Sequence, residues 1–580
     1  MFDVPELVAL LVQYLSPRDI SRCMATCKTL AMAFEAHLYE HVLLGYGLDM
    51  PTFLSRNLHR IRTIQIHWRS SNYLTYLTPT SDTESATSGR VGHTDTSVTR
   101  LTNLQQFMLR ENAQGSHGPL NYTSDVLNTM MDILSTNHRL THIKIEVKDD
   151  LTTSHIGERL LEALRKDLPL LQHLFILSGN TYKSTTVAQA TKFLSVCFQL
   201  PQLIHLQYLT PHHGTDARKE TPASVKMCFD SLLELMERTY RTGSGPESIS
   251  GCRLKSLALP QLGAGYPESF LIPLLKTHLP NLERFEVPVL DSPYEDSLEK
   301  VVSGYCSKLK HVSCFFEVWS RKTDPAIAVI RGCAKWSGLK SFDMLHHGFF
   351  GESLSSNRLD PGRKLIATLM EYHSTTLEEV NIQIHGIHML WNPILRGCPN
   401  LKSFRLLPLN SNHCSTVGFS EFSRDTWACT NLRELRIHLS QQFKFVEEKK
   451  TAEREVKAFE EIFRQIGSLT KLEVLDLDYK SYQGDRYRWV FDSTLERKWF
   501  MGLGGLKELR SIGMPPSFWM RQADQSCMEF MDAKWPRLES IMVRDFGFYY
   551  NETFKCFQGV HWEWLRRRNP HLKFGDTLWM

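Results

Sequence analysis

The stretch Gly397-Cys398-Pro399-Asn400-Leu401-Lys402-Ser403-Phe404-Arg405-Leu406 decides the fold. Its kernel is an apolar residue, two variable ones, a second apolar residue, one variable residue and a third apolar residue. The kernel recurs at Leu171/Leu174/Ile176, Leu254/Leu257/Leu259, Leu282/Phe285/Val287, Leu432/Leu435/Ile437 and Leu472/Leu475/Leu477. Fainter copies stand at Leu140/Ile143/Ile145, Leu309/Val312/Cys314, Leu339/Phe342/Met344, Leu377/Val380/Ile382 and Leu538/Ile541/Val543, and Ile61/Ile64/Ile66 and Leu104/Phe107/Leu109 fit it too. Between kernels the apolar period changes from 2 to 3.6, as in Ile156/Leu160/Leu161/Leu164, Val187/Ala190/Phe193/Leu194/Cys197, Val225/Cys228/Phe229/Leu232/Leu235 and Val456/Phe459/Ile462/Phe463/Ile466. A strand followed by a helix, repeated, buries its apolar side only against its neighbours, so the chain is expected to be an α/β solenoid. Parallel strands would lie inside and helices outside, in an arc or horseshoe. Kernel spacing runs from about two dozen to about fifty residues, the long values coinciding with polar inserts or a charged helix.

Bulk properties agree. At 580 residues the chain is too long for one compact core. Its 42% hydrophobic and 22% charged residues are those of an ordinary folded protein. A net charge of +4 over that length makes no global field for nucleic acid and gives no reason to invoke a membrane surface. The 13 Cys are odd in number and scattered, with Cys197, Cys228 and Cys314 at core positions, which points to a reducing compartment, cytoplasmic and/or nuclear. No basic segment precedes Leu7–Leu15, and no run of eighteen apolar residues occurs, so neither a secretory signal nor a membrane span is expected.

The first forty residues read differently. Leu7, Leu10, Leu11, Tyr14 and Leu15 recur at helical spacing behind Pro5, and Ser16-Pro17-Arg18-Asp19 restarts a helix with a capping-box-like pattern. Val4-Pro5-Glu6-Leu7, Tyr14-Leu15-Ser16-Pro17-Arg18-Asp19-Ile20, Cys27-Lys28 and Leu38-Tyr39 together resemble the F-box, a short helical motif. Leu30 lies near the position of that motif's usual Trp, and Tyr39 replaces its last one. The repeats behind it resemble the irregular leucine-rich repeats of fungal and other eukaryotic F-box proteins. The expected organisation is an all-α F-box-like segment at 1–45, a connector and first repeat at 46–77, a disordered Ser/Thr-rich insert at 78–100, and a leucine-rich-repeat solenoid with a C-terminal cap at 101–580.

Candidate binding residues follow from strand alternation, which points the variable residues away from the core. The middle variable position carries Lys144, Phe175, Gln207, Ala258, Glu286, Ser313, Asp343, Asn381, Arg405, Arg436 and Asp476 in succession. Arg405 beside Arg436 would either bind a carboxylate or phosphate or close a surface charge ladder with Asp476. Two residues on, Leu209, Pro260, Pro288, Phe315 and Leu345 form an apolar stripe, either a protein-binding surface or a strand end under a loop.

Apparent chemistry elsewhere has plainer explanations. His37-x-x-Glu40-His41 matches a zinc-protease helix but falls at the end of the F-box-like segment. Cys23 and Cys27 share one helical face, His212-His213 and His346-His347 read as loop pairs, and Arg566-Arg567-Arg568 reads as the polar side of a last helix. No phosphate-binding loop or nucleophile elbow occurs. No enzyme activity, metal, cofactor, nucleic acid or membrane partner is therefore expected.

The F-box resemblance implies a non-catalytic substrate-recognition adaptor of an SCF-type cullin ubiquitin ligase. Pro5, Leu7, Leu11, Leu15, Ile20 and Cys27 would form or support the contact with the Skp-type linker subunit. The repeats would hold an unidentified protein substrate through Arg405, Arg436, Asp476, Phe315 and Leu345. The rival expectation is a leucine-rich-repeat interaction scaffold outside such ligases, whose N-terminal helices only cap the solenoid.

Overall fold

A computed structural model of the chain describes residues 60–67, 103–110, 124–147, 155–178, 186–209, 222–241, 252–260, 262, 265–288, 290, 294–315, 324–345, 360–383, 391–406, 426–442, 457, 460–482, 493–515, 518–519, 523–543, 557 and 559–576. Before these, positions 8, 23, 25, 26, 34 and 41–44 are described. The residues divide into two compact units, Met1–Leu282 with Val289–Ser292, and Glu283–Pro288 with Pro293–Met580.

In the first unit the strands are β1 (His41–Leu44), β2 (Thr63–His67), β3 (Gln106–Arg110), β4 (His142–Val147), β5 (His173–Ser178), β6 (His205–Leu209) and β7 (Ser256–Ala258). Its helices are α1 (Ser124–Thr136), α2 (His155–Lys166), α3 (Val187–Gln199), α4 (Pro222–Arg241) and α5 (Glu268–Pro273). Each strand pairs in parallel with the next.

The second unit repeats the scheme with β8 (Arg284–Val287), β9 (His311–Phe315), β10 (Ser341–Leu345), β11 (Glu379–Gln383), β12 (Ser403–Leu406), β13 (Glu434–Gln442) and β14 (Val474–Tyr482). It continues through β15 (Ser511–Met514), β16 (Ser540–Val543) and β17 (Lys573–Asp576). Its helices are α6 (Glu295–Tyr305), α7 (Asp324–Cys333), α8 (Asp360–His373), α9 (Trp391–Gly397), α10 (Ser493–Gly502), α11 (Gln525–Lys534) and α12 (Val560–Arg568). These strands too are parallel neighbours in chain order. The fold is therefore an α/β repeat solenoid, with helices and strands alternating along the chain.

The kernel explains the register. Leu401, Phe404 and Leu406 are buried, as are their counterparts Leu432, Leu435 and Ile437 one repeat on. Phe404 stands opposite Leu435 and Leu406 opposite Ile437, so a slip by one residue would bring Arg405 into the core. The backbone locks the same register. Lys402 N–H and Ser403 N–H both donate to Glu378 O, at 2.7 and 3.0 Å, and Arg433 and Glu434 do the same to Lys402 O at 2.8 and 3.0 Å.

Buried polar side chains tie successive repeats where the backbone leaves the ladder. The Asn137 carbonyl accepts from Leu104 N–H at 3.0 Å, and the Gln465 carbonyl from Trp427 N–H at 3.0 Å. In the middle of the second unit His373 takes this place. Its Nδ1 accepts from Leu339 N–H at 3.2 Å and its Nε2 faces Ile330 O at 2.8 Å, which fixes the neutral tautomer with the proton on Nε2. Close approach matters at Gly467, where an added Cβ would lie 2.5 Å from Gly502 O, a backbone atom unable to move aside cheaply.

The last repeats of the second unit close over an aromatic cluster. Trp519 lies edge-on to Phe500, Phe518 and Trp562, and its Nε1 donates to Met542 O at 3.1 Å. The arginine run occupies the polar side of α12. Arg566 donates to Phe557 O and Arg568 to Asp532, while Arg567 stands 3.7 Å from Glu563.

Three strands extend the kernel series. Leu509/Ile512/Met514 forms β15, Leu572 and Phe574 introduce β17, and β1 begins already at His41, within the 1–45 segment expected to be all helical. His41 being in a strand, it cannot share one helix face with His37 in a zinc motif. Positions 8, 23, 25, 26 and 34 are helical, with Val8 and Phe34 buried. The insert at 78–100 lies outside the described residues, as do the polar stretch 210–221, all of the polar stretch 241–251 but Arg241, and the His212-His213 and His346-His347 pairs. Cys197 and Cys314 are buried free thiols whose pKa burial pushes far up, and Cys228 is half-buried. Among the described residues no helix is long and apolar enough to cross a membrane.

Candidate functional site

The face of the second unit's sheet away from the core carries one continuous ladder. Glu286, Ser313, Asp343, Asn381, Arg405, Arg436, Asp476, Gly513, Met542 and Gly575 are successive register partners. Neighbouring strands lie about 5 Å apart. Acidic groups occupy its start, two guanidiniums its middle, and another acid the position after them.

The arginines are held by a residue the middle position does not contain. Glu434 opens β13, two residues before Arg436 and opposite Ser403. Its Oε2 accepts from Arg405 Nη2 at 2.7 Å and from Ser403 Oγ at 2.8 Å, and its Oε1 accepts from Arg436 Nε at 2.6 Å. Burial pushes this carboxyl's pKa up, but hydrogen bonds from Arg405 and Ser403 and the charge of Arg436 outweigh it and hold the group below the usual range. Arg436 thus bonds Glu434 on its own strand, with Asp476 its register partner on the next. Asp476 is buried, and its Oδ1 would lie 2.6 Å from a Cβ placed on Gly513, so the absent side chain there gives the carboxylate its room.

The acidic start of the ladder is a different environment. Glu286 is 5% exposed, and among the described residues its Oε1 has no hydrogen-bond partner. Burial, then the nearby Asp343, pushes its pKa well above the carboxylate range. Asp343 is raised too, mainly by burial, with Arg284 and a hydrogen bond from Asn381 opposing. A group whose pKa is raised by folding stabilises the fold below its unfolded pKa, about 4.3 for Glu, and that stability is lost as pH rises through the folded value. Glu286→Gln, which keeps the shape without the charge, is therefore expected to raise the urea midpoint of the second unit at pH 8. Each pKa unit of upward shift corresponds to about 1.4 kcal/mol, and the gain should vanish near pH 4. A lower midpoint at pH 8 would contradict the assignment.

On the first unit the equivalent sheet face carries three stacked imidazoles. His142 and His173 have ring centroids 4.0 Å apart, and His173 and His205 4.4 Å, all nearly parallel. Burial, then its two histidine neighbours, pulls His173 down to about 4. Lys144 sits 5.0 Å over the Phe175 ring and 2.8 Å from Glu146. Parallel rings at this spacing share no open coordination point, and no metal-holding cluster occurs among the described residues.

The expected site residues fare unequally. Arg405, Arg436 and Asp476 come together on adjacent strands as register partners. Phe315 and Leu345 end β9 and β10 and are register partners, but their side chains are outside the described set. Pro260 and Pro288, on the same apolar stripe, are buried, so at those two repeats the stripe is no exposed surface. Pro5, Leu7, Leu11, Leu15, Ile20 and Cys27 lie outside the described residues. Sequence reading of the middle position alone missed Glu434 and the three histidines. The signal was available: each stands directly before the second apolar residue of its kernel, as in Leu171-Gln172-His173-Leu174 and Leu432-Arg433-Glu434-Leu435.

No protein-family model matches the chain, and no curated protein sequence does. Among solved structures it is similar to the crystal structure of the Rad7 and Elc1 complex in yeast, with a TM-score of 0.27 and 14% identity over 72% of this chain and 86% of that one. A similarity at that level carries no argument about partners or activity.

Proposed function

We propose that this chain is a non-catalytic substrate-recognition adaptor of an SCF-type cullin ubiquitin ligase. The observation that carries the reading is the F-box-like sequence, Val4-Pro5-Glu6-Leu7 through Leu38-Tyr39, directly ahead of a parallel-strand repeat scaffold. Its helices would dock a Skp-type linker, with Pro5, Leu7, Leu11, Leu15, Ile20 and Cys27 forming or supporting that contact. The repeats would hold a protein substrate on the sheet face around Arg405 and Arg436. The mechanism is positional: a tethered substrate meets the conjugating enzyme at raised effective concentration, and the partner supplies the chemistry. The test is a pull-down of purified full-length chain with purified Skp-type linker. Stoichiometric co-purification is expected, and its absence overturns the reading.

A second reading has two observations in its favour. Leu30 stands near the usual Trp of the motif, and β1 pairs directly with β2. The N-terminal helices would then cap the first repeat of an interaction scaffold, since the exposed end of a solenoid needs covering. The same pull-down separates the two.

A further inference from the structure

We propose that Glu286, Ser313 and Asp343 form a slot that binds the ammonium group of a lysine from a protein partner. The three are register partners on β8, β9 and β10, on the sheet face away from the core. The two acids therefore stand two strand spacings apart, about 10 Å at the backbone. The side chain between them is a serine, so the ladder dips between two carboxyls. Glu286 and Ser313 are 5% and 7% exposed and make the floor of the dip. Asp343, and Asn381 on the next strand, are half-buried and make its open side.

The slot is rich in acceptors and poor in donors. Among the described residues Glu286 Oε1 and Asn381 Oδ1 are both buried with no hydrogen-bond partner. Asn381 gives its amide N–H to Asp343, which leaves its own oxygen over. Buried acceptors are costly without donors, and here two of them gather around two carboxyls. Arg284, two residues before Glu286, acts on Asp343 through its charge, but among the described residues no ion pair joins it to either acid.

Charge favours a cation. Further along the ladder Arg405 and Arg436 are balanced by Glu434 and Asp476, two guanidiniums against two carboxylates. Around the slot stand one guanidinium, Arg284, and three carboxyls, Glu286, Asp343 and Glu379, which come to −2 when ionised. Burial holds His311 of β9 below its ordinary pKa, so it adds no charge at neutral pH. A lysine suits the slot best. Its four-carbon stem carries a compact charge down to a buried acid, and the slot's oxygens can take all three of its N–H groups. A planar guanidinium brings five N–H groups and would bury some unpaired. The described residues group no third carboxylate, histidine or cysteine with these two acids to hold a metal ion. Burial, then the nearby Asp343, favours the protonated carboxyl at Glu286. Entry of the ammonium ionises it: the carboxyl O–H bond breaks, one proton goes to solvent, and the lysine keeps its three.

The experiment measures fluorescence anisotropy of the full-length chain with three labelled heptapeptide pools. Their termini are blocked, their flanking residues degenerate and uncharged, and their central residue lysine, Nε-acetyllysine or arginine. The lysine pool is expected to bind at least about tenfold more tightly than either other pool, and more tightly at pH 8 than at pH 6 as Glu286 gives up its proton. Glu286→Gln and Asp343→Asn should each remove the preference. Because Glu286→Gln is expected to raise the urea midpoint at pH 8, its loss of binding there would not be loss of fold. No binding of the lysine pool, an acetyllysine or arginine pool as tight as the lysine pool, affinity falling from pH 6 to pH 8, or a preference surviving both substitutions would each overturn the slot. The proposal goes beyond the adaptor reading and does not depend on it, since no linker is present. A failed linker pull-down removes that reading alone, and unselective peptide binding removes the slot alone.

Discussion

Trp519→Ala is expected to unravel the last repeats of the second unit while leaving its earlier strands folded. The side chain is fully buried, edge-on to Phe500 of α10, Phe518 and Trp562 of α12. Removing it leaves a large cavity and takes away the donor to Met542 O in β16, for a cost of about 3–5 kcal/mol. In a solenoid each repeat leans only on its neighbours, so the loss should stay local. Amide hydrogen exchange would show protection falling across β15, β16 and β17, with β9 to β12 near their wild-type values. Uniform loss through the whole unit would contradict nearest-neighbour stacking, and unchanged protection would contradict the aromatic closure.

His373→Ala is the second large effect, and its pH dependence identifies the cause. The substitution orphans two buried backbone groups, Leu339 N–H and Ile330 C=O, at about 1–3 kcal/mol each, and opens a cavity besides. Burial holds the imidazole pKa below its ordinary value, against a smaller upward push from the Ile330 hydrogen bond. A histidine lowered by folding stabilises the fold fully above its unfolded pKa of about 6.5, and that contribution is lost as pH falls through the folded value. Protonation would also place a hydrogen on Nδ1, where Leu339 N–H needs an acceptor. His373→Gln offers the same donor and acceptor without titrating, as Asn137 and Gln465 do elsewhere. Urea titrations at pH 8 and pH 5 should find the alanine variant weak at both. The glutamine variant should lie near wild type at pH 8 and gain on it at pH 5. A glutamine variant as unstable as alanine at pH 8 would refute the bridging role.

These two residues also show how far the sequence could be read. The strands were legible because the kernel states both the period and the buried side, and copies as faint as Leu309/Val312/Cys314 still formed strands where expected. β15 could have been read from Leu509/Ile512/Met514 by the same rule. His373 could not. It carries no kernel position, and only the packing of α8 against the preceding repeat makes it a bridge. The candidate site divides likewise. The pairing of Arg405 with Arg436 followed from register alone, but which acid would answer them did not. Asp476 lies one strand from Arg436 and Glu434 one strand from Arg405, and only side-chain reach makes Glu434 the acid that bonds both arginines. Glu434 projects back under both guanidiniums, whereas Asp476 is taken into the sheet over Gly513.

The most direct measurement of the adaptor role is calorimetric titration of purified Skp-type linker into the full-length chain and into its Pro5→Ala/Leu15→Ala variant. One-to-one binding to the wild-type chain, weakened at least about tenfold in the variant, is the expected result, because truncating two apolar contacts of a helical docking surface costs more than about 1.4 kcal/mol. No binding to the wild-type chain, or equal affinity for both, would contradict it and leave the N-terminal helices as a cap on the first repeat.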